Sequence, residues 1–431
     1  MKNAPVVLLC VYLGIQAFKY CLDYLNLSYM RRRARPAAPE FDAVLGREFL
    51  DRMQVYLRER TLFGMAASGL STIAVAVFLF GGVLDTYNSW IASMNLPFAV
   101  SGWIFFVLLY LAWEVFSLPF TLYFIFHIEQ KHGFNTMTYP VWLLDFLKGT
   151  LLSLLLLTAG AFGGFWLIET SPCFWWFWVW CFFLVFTIFI TYIAPYVIEP
   201  LFNTFTPVED ESLKSRIIAL ASRAGINVSK VLKMDQSKRS RHTNAYFAGI
   251  GRTKRIILFD TLLETMKPDE VLAVLAHEIG HWKRHHLLKG LLLTALVSLV
   301  FFFCAYQALS RHVLDALFAI RVDAFPAKVV IAGFFAGMLF FLFTPVMNAF
   351  SRSLEREADR FSCAFEGRGK AMINALIKLS RDNLSNLYPH PLYAVFHYSH
   401  PPVLERIRYI REYCEKEGGR PGLREERVTP L

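Results

Sequence analysis

The chain has 431 residues, of which 55% are hydrophobic, 16% aromatic and only 18% charged, with a net charge of +10 and a mean hydropathy of +0.41. So little charge, with so many long apolar runs, excludes a soluble globular protein. The basic surplus lies beside those runs, which fits membrane topology and anionic headgroups and argues against a nucleic-acid partner.

Seven segments reach the roughly 20 apolar residues needed to cross a hydrocarbon core. They lie at 5–27, 62–84, 98–127, 147–168, 173–198, 287–309 and 326–348. The first holds Lys19 and Asp23 near its end and has no small-residue cleavage site, so it reads as a retained span and not a signal peptide. A basic connection at 28–61 follows, with Arg31, Arg32, Arg33, Arg35, Arg47, Arg52, Arg58 and Arg60. The connection at 85–97 and the turn Glu169-Thr-Ser-Pro172 between the fourth and fifth spans have no Lys or Arg. This asymmetry places the N-terminus outside and the basic connection in the cytoplasm, despite Arg311 and Arg321 in the 310–325 connection. An odd number of spans then puts 199–286 and the C-terminal segment on the cytoplasmic side as well. The cysteines Cys10, Cys21, Cys173, Cys181, Cys304, Cys363 and Cys414 show no C-x-x-C spacing and read as small hydrophobes.

Between spans five and six the composition becomes that of a water-soluble domain. Residues 207–223 form an amphipathic helical pattern with acidic residues at its start. Alternating runs follow at 231–234, at Asn244-Ala-Tyr-Phe-Ala and at Arg255-Ile-Ile-Leu-Phe-Asp. The last two, joined by Gly249-Ile-Gly-Arg-Thr-Lys, predict a β-hairpin. The domain plan is 1–198 for spans one to five, 199–286 for a catalytic segment, 287–348 for spans six and seven, and 349–431 for its completion. The last dozen residues, rich in Arg, Glu, Gly and Pro, are expected to be disordered.

Residues His277-Glu-Ile-Gly-His281 carry the chemistry. On a helix, H-E-x-x-H puts two imidazoles four residues apart on one face, where both can ligate zinc. Glu278 can then act as general base toward a water at the open position. Pro268, Asp269 and Glu270 suit the first turn of such a helix. The pattern predicts a metalloprotease. A catalytic zinc takes a third protein ligand, and Ser351-Arg-Ser-Leu-Glu-Arg-Glu-Ala-Asp359 offers one. Glu355 and Asp359 share a helix face, so Glu355 can ligate while Asp359 accepts the free N–H of a ligating imidazole. Glu357 points elsewhere and is the poorer ligand. From the residues alone, a solvated helix surface beyond a span remains an open reading of 351–359.

Several motifs together resemble the type I CAAX prenyl proteases, integral-membrane zinc endopeptidases that act on prenylated proteins. They are Ile198-Glu-Pro-Leu-Phe-Asn-Thr-Phe, Ser237-Lys-Arg-Ser, Asn244-Ala-Tyr-Phe, Arg255-Ile-Ile-Leu-Phe-Asp-Thr-Leu, the H-E-x-x-H run, the 351–359 run and Tyr398-Ser-His-Pro-Pro. The resemblance implies a mainly α, polytopic membrane protein of about seven spans, arranged as a helical cage around a water-filled chamber. It also implies a zincin-like α+β catalytic domain with a small β-hairpin or sheet. By the same resemblance His277, His281 and Glu355 are the ligands of one zinc, Glu278 is the base and Asp359 supports a ligand. His400 and Arg406 match positions near the scissile carbonyl, where a donor could stabilise the oxyanion. Asn244, Ala245, Tyr246 and Phe247 resemble the edge strand on which substrate is added as a β-strand.

The expected partners are a peptide or protein substrate, prenylated or not, and the bilayer, with the chain working as a monomer. The 310–325 connection is shorter than in the eukaryotic pattern, so the endoplasmic-reticulum membrane and a bacterial inner membrane both stay open. Two other functions are compatible with the sequence. One is a membrane quality-control zinc protease of the heat-shock type, which usually has fewer spans. The other is a transporter or receptor with a chance motif, for which Glu114 is the clearest mid-span charge.

Overall fold

The computed structural model describes residues 4–33, 39–249, 253–310, 325–366 and 369–418. The elements in chain order are α1 (Ala4–Arg33), α2 (Pro39–Phe80), α3 (Val83–Ser93), α4 (Phe98–Tyr123), α5 (Tyr139–Thr170), α6 (Trp175–Ile193) and α7 (Glu199–Phe202). Then come β1 (Phe205–Pro207), α8 (Glu211–Arg223), β2 (Asn227–Met234), β3 (Ala245–Ala248), β4 (Thr253–Phe259), α9 (Asp260–Thr265) and α10 (Pro268–Lys283). The chain continues through α11 (His286–Ser310), α12 (Phe325–Glu366), α13 (Gly369–Asp382), α14 (Pro391–His397) and α15 (Val403–Gly418). The protein is mainly α, with one small mixed sheet.

Seven helical stretches are long and apolar enough to cross a bilayer: Ala4–Arg32, Gly46–Phe80, Phe98–Glu129, Tyr139–Thr170, Trp175–Phe202, His286–Ser310 and Phe325–Ala364. The expected spans are all present, but their ends move. The second stops at Phe80 and not 84, because Gly82 adopts φ 82° and the chain restarts as α3. The basic segment read as a connection is helical on both sides of 34–38, since Arg, Leu, Met and Glu are good helix formers. Gly46, at φ 69° and ψ 163°, interrupts α2. The turn at 250–252, most of the 310–325 connection and the C-terminal dozen residues lie outside the described residues.

The chain forms two compact units. One comprises Met1–Tyr24, Arg58–Phe202 and Gly290–Thr344. Its interior is knit by aromatic residues: Phe165 meets Phe98 and Phe325 edge-on at ring separations of 5.2 and 6.5 Å. Gly102 lets Phe165 lie against α4, where an added Cβ would come within 2.3 Å of the ring. Leu143, Leu147, Leu151 and Leu155 form an exposed stripe at helical spacing, a surface that only lipid satisfies.

The other unit comprises Leu25–Leu57, Asn203–Lys289 and Pro345–Leu431. Its sheet has the order β1-β2-β4-β3, in which β2 and β4 pair parallel and the two outer pairs are antiparallel. The predicted hairpin is present as β3 and β4. Strand β1 is not among the expected elements; it has three residues and ends in Pro207, as a short edge strand can, and the helix expected from 207 begins at Glu211. Ile256, Leu258, Ile217, Leu262, Leu275 and Ile279 are essentially inaccessible and form the core between the sheet, α8 and α10. Each such side chain contributes about 1.5–3 kcal/mol by leaving water.

Candidate active site

Helix α10 is fixed before it reaches its chemistry. Pro268 occupies its first turn, and Glu270 reaches back so that its Oε2 accepts from Lys267 N at 2.7 Å. Lys378 of α13 donates to the same oxygen at 2.6 Å and to Thr265 O at 3.1 Å. The next turn and a half, Val271–Ala276, is wholly buried against α8, α13 and β3. That face carries His277 inward, while Glu278, about 100° further round, stays half-buried.

Helix α12 crosses α10 at Gly280. A Cβ there would lie 3.0 Å from Ala358 Cα and 3.1 Å from its carbonyl oxygen, so the backbones touch. Glu355 and Asp359, one turn apart, thereby face the two histidines. His277 Nε2 and His281 Nε2 are 3.1 Å apart. Glu355 presents Oε1 to His281 Nε2 at 3.3 Å and Oε2 to His277 Nε2 at 3.4 Å. Asp359, with no side-chain exposure, accepts from His277 Nδ1 at 2.8 Å. The Nε and Nη2 groups of Arg406 donate to the two oxygens of Asp359 at 2.9 and 2.6 Å. Burial opposes a charge on His277, but its bonds to Asp359 and Glu355 outweigh that and raise its pKa to about 9. Burial likewise opposes the charge of Arg406, and Asp359 overrides it.

These residues fit a metal. One nitrogen from each imidazole and one oxygen of Glu355 lie within 4.8 Å of one another. Glu355 Oε2 is buried and makes no hydrogen bond; His400 Nδ1 approaches it at 2.9 Å without hydrogen-bond alignment. Two imidazole nitrogens and a carboxylate with an unspent acceptor form a donor set for a borderline divalent cation.

The other expected site residues fall into two groups. His400 lies beside Glu355 with its side chain 64% exposed. Arg406 sits behind His277 with its Nε–Nη2 edge on Asp359, the residue that supports His277. Asn244 precedes β3 and closes on itself, its Oδ1 accepting from Ala245 N at 2.9 Å. Ala245, Tyr246 and Phe247 lie on β3, which among the described residues pairs with β4 alone and packs against α10.

Four residues here have no role assigned from the sequence. Arg352 Nη1 donates to the carbonyls of Tyr398 at 2.7 Å and Ala394 at 3.3 Å, and Asn348 Nδ2 to Phe396 O at 2.8 Å, tying α12 to the turn that bears His400. His286 Nδ1 lies 2.9 Å from His281 Nδ1, and its Nε2 lies 3.1 Å from Glu357 Oε2. His286 reaches back because His285 adopts φ 53° and ends α10.

Comparison with known proteins places the chain. Residues 26–204 match the family described as CAAX prenyl protease N-terminal, five membrane helices, and residues 207–414 match peptidase family M48. The CAAX prenyl protease 1 homolog of Arabidopsis thaliana is 31% identical over 92% of this chain and 96% of its own length. The CAAX prenyl protease 1 of Saccharomyces cerevisiae is 36% identical over 70% of each chain. The crystal structure of S. mikatae Ste24p superimposes with a TM-score of 0.87 at 26% identity, covering 94% of this chain and 98% of that one. Matched from Asn26 to Cys414 and carrying the His277, His281 and Glu355 cluster of a metallopeptidase, the chain belongs to the CAAX prenyl protease 1 family and is a membrane metalloprotease.

Proposed function

We propose that this protein is a zinc endopeptidase that removes a C-terminal peptide from CAAX proteins after the prenylated cysteine. The observation that carries the proposal is the convergence of His277, His281 and Glu355 beside Glu278, on a helix packed against the outer strand β3. These three side chains hold one zinc, and zinc there supplies Lewis acidity toward water and the scissile carbonyl. The substrate lies along β3 as an added strand, and backbone groups from Asn244 to Phe247 align it whatever its side chains. Glu278 takes a proton from the attacking water and returns it to the departing amine. Asp359, itself held by Arg406, keeps the His277 proton on Nδ1 and leaves Nε2 as a ligand. His400, exposed beside Glu355, donates toward the developing oxyanion. The soluble part, 199–286 completed by 349–431, faces the cytoplasm, as the arginines at 31, 32, 47, 52, 58 and 60 favour. The chain acts as a monomer, in the endoplasmic reticulum if eukaryotic or the inner membrane if bacterial.

A farnesylated CAAX peptide and its unprenylated twin, offered to purified protein of known zinc content, test this reading. Cleavage of the farnesylated peptide alone, by a chain with about one zinc, is expected. Equal cleavage of both would make it a general membrane endopeptidase of the quality-control kind. Replacing Arg352 by Met is expected to lower kcat by about tenfold to a hundredfold by displacing His400, with KM and zinc content kept. An unchanged kcat would leave that clamp without a catalytic purpose.

A further inference from the structure

His281 has no carboxylate on its outer nitrogen, in contrast to His277. It turns Nε2 toward His277 and Glu355, and its Nδ1 meets the Nδ1 of His286 at 2.9 Å. Two ring nitrogens can share one hydrogen bond only if one carries a proton and the other a lone pair. Glu357 decides which. A carboxylate accepts and does not donate, so the His286 nitrogen facing Glu357 Oε2 at 3.1 Å, Nε2, carries the proton of the neutral ring. Its Nδ1 is then the acceptor, the proton of His281 sits on Nδ1, and Nε2 of His281 is free to ligate. Lys289 Nζ, 3.1 Å from Glu357 Oε2, and Arg284 Nε, 3.5 Å from Oε1, hold Glu357 as a carboxylate. His286 itself is buried, its side chain 4% exposed, and its ring stands edge-on to that of His281 at 4.9 Å.

We infer that His286, oriented by Glu357, is the positioning residue that sets the tautomer and ring plane of His281. The line runs from ligand to neutral imidazole to surface carboxylate, so His281 is oriented without a second negative charge beside the metal. His277, with Asp359 and Arg406 behind it, is held by an ion pair instead. The inference rests on the reading that His277, His281 and Glu355 hold zinc, and it concerns affinity and not the chemical step.

The test is equilibrium competition for zinc between a chromophoric chelator and the purified full-length chain, alongside thermal melting of the metal-free form. His286→Ala is expected to weaken zinc binding about 10–100-fold. His286→Asn, whose side-chain oxygen can accept from His281 Nδ1, is expected to recover most of that loss. Glu357→Leu, a half-exposed site that leaves the fold alone, is expected to fall between wild type and His286→Ala. Loaded with excess zinc, all three keep the wild-type KM. Wild-type zinc affinity in His286→Ala or Glu357→Leu would overturn the inference, as would His286→Asn binding as weakly as His286→Ala. If His286→Ala does not fold, Glu357→Leu and His286→Asn decide alone. Failure of the wild type to take up zinc would instead overturn the metal assignment.

Discussion

Glu278→Gln is expected to keep its zinc and to cleave about 10²–10⁴-fold more slowly, the range that positioned general-base catalysis supplies. The substitution keeps the size and polarity of the side chain, and Glu278 is not among the residues converging on the metal position. Only the ability to take a proton is lost. The loss should fall on kcat and on kcat/KM alike, because the carboxylate is used in the transition state and not in holding the peptide. Zinc content by elemental analysis and kcat on one peptide, measured on the same preparation, decide the matter. A variant that still cleaves at the wild-type rate would remove Glu278 from the mechanism. One that loses its zinc would make it a structural residue.

Arg406→Met is expected to be among the most destabilising changes in its unit, costing about 3–5 kcal/mol. Asp359 has no side-chain exposure and gives its two oxygens to the one guanidinium. Without Arg406 a buried carboxylate remains, supported by His277 alone. Asp359→Asn with Arg406→Met removes both charges, and the pair should be less destabilising than the sum of the single changes. Thermal melting of the four proteins in metal-free buffer measures the coupling. An Arg406→Met protein that melts with the wild type would show that the ion pair does little for the fold.

Much of this architecture is written in local sequence. Span-length apolar runs, the Pro268-Asp-Glu start of α10 and the alternation on either side of Gly249 each depend on neighbours a few residues away, and each was legible. So was the spacing of His277 and His281, because a helix fixes it. Glu355 needed more: nothing within its own helix separates a ligand from a solvated acid, and the close approach at Gly280 brings it to the histidines. His286 was hidden for the opposite reason. On a continuous helix, position i+5 lies about 140° away from position i and the rings could not meet. The left-handed turn at His285 breaks that rule, and no propensity for it is visible in Arg284-His-His286. Glu357 meets His286 through that turn.

The backbone contact between Gly280 and Ala358 has one more consequence. The interval between α10 and α12 is set by main-chain atoms and a buried apolar core. Any Cβ at 280 would push the two helices apart and, with them, the imidazoles of one from the carboxylate of the other.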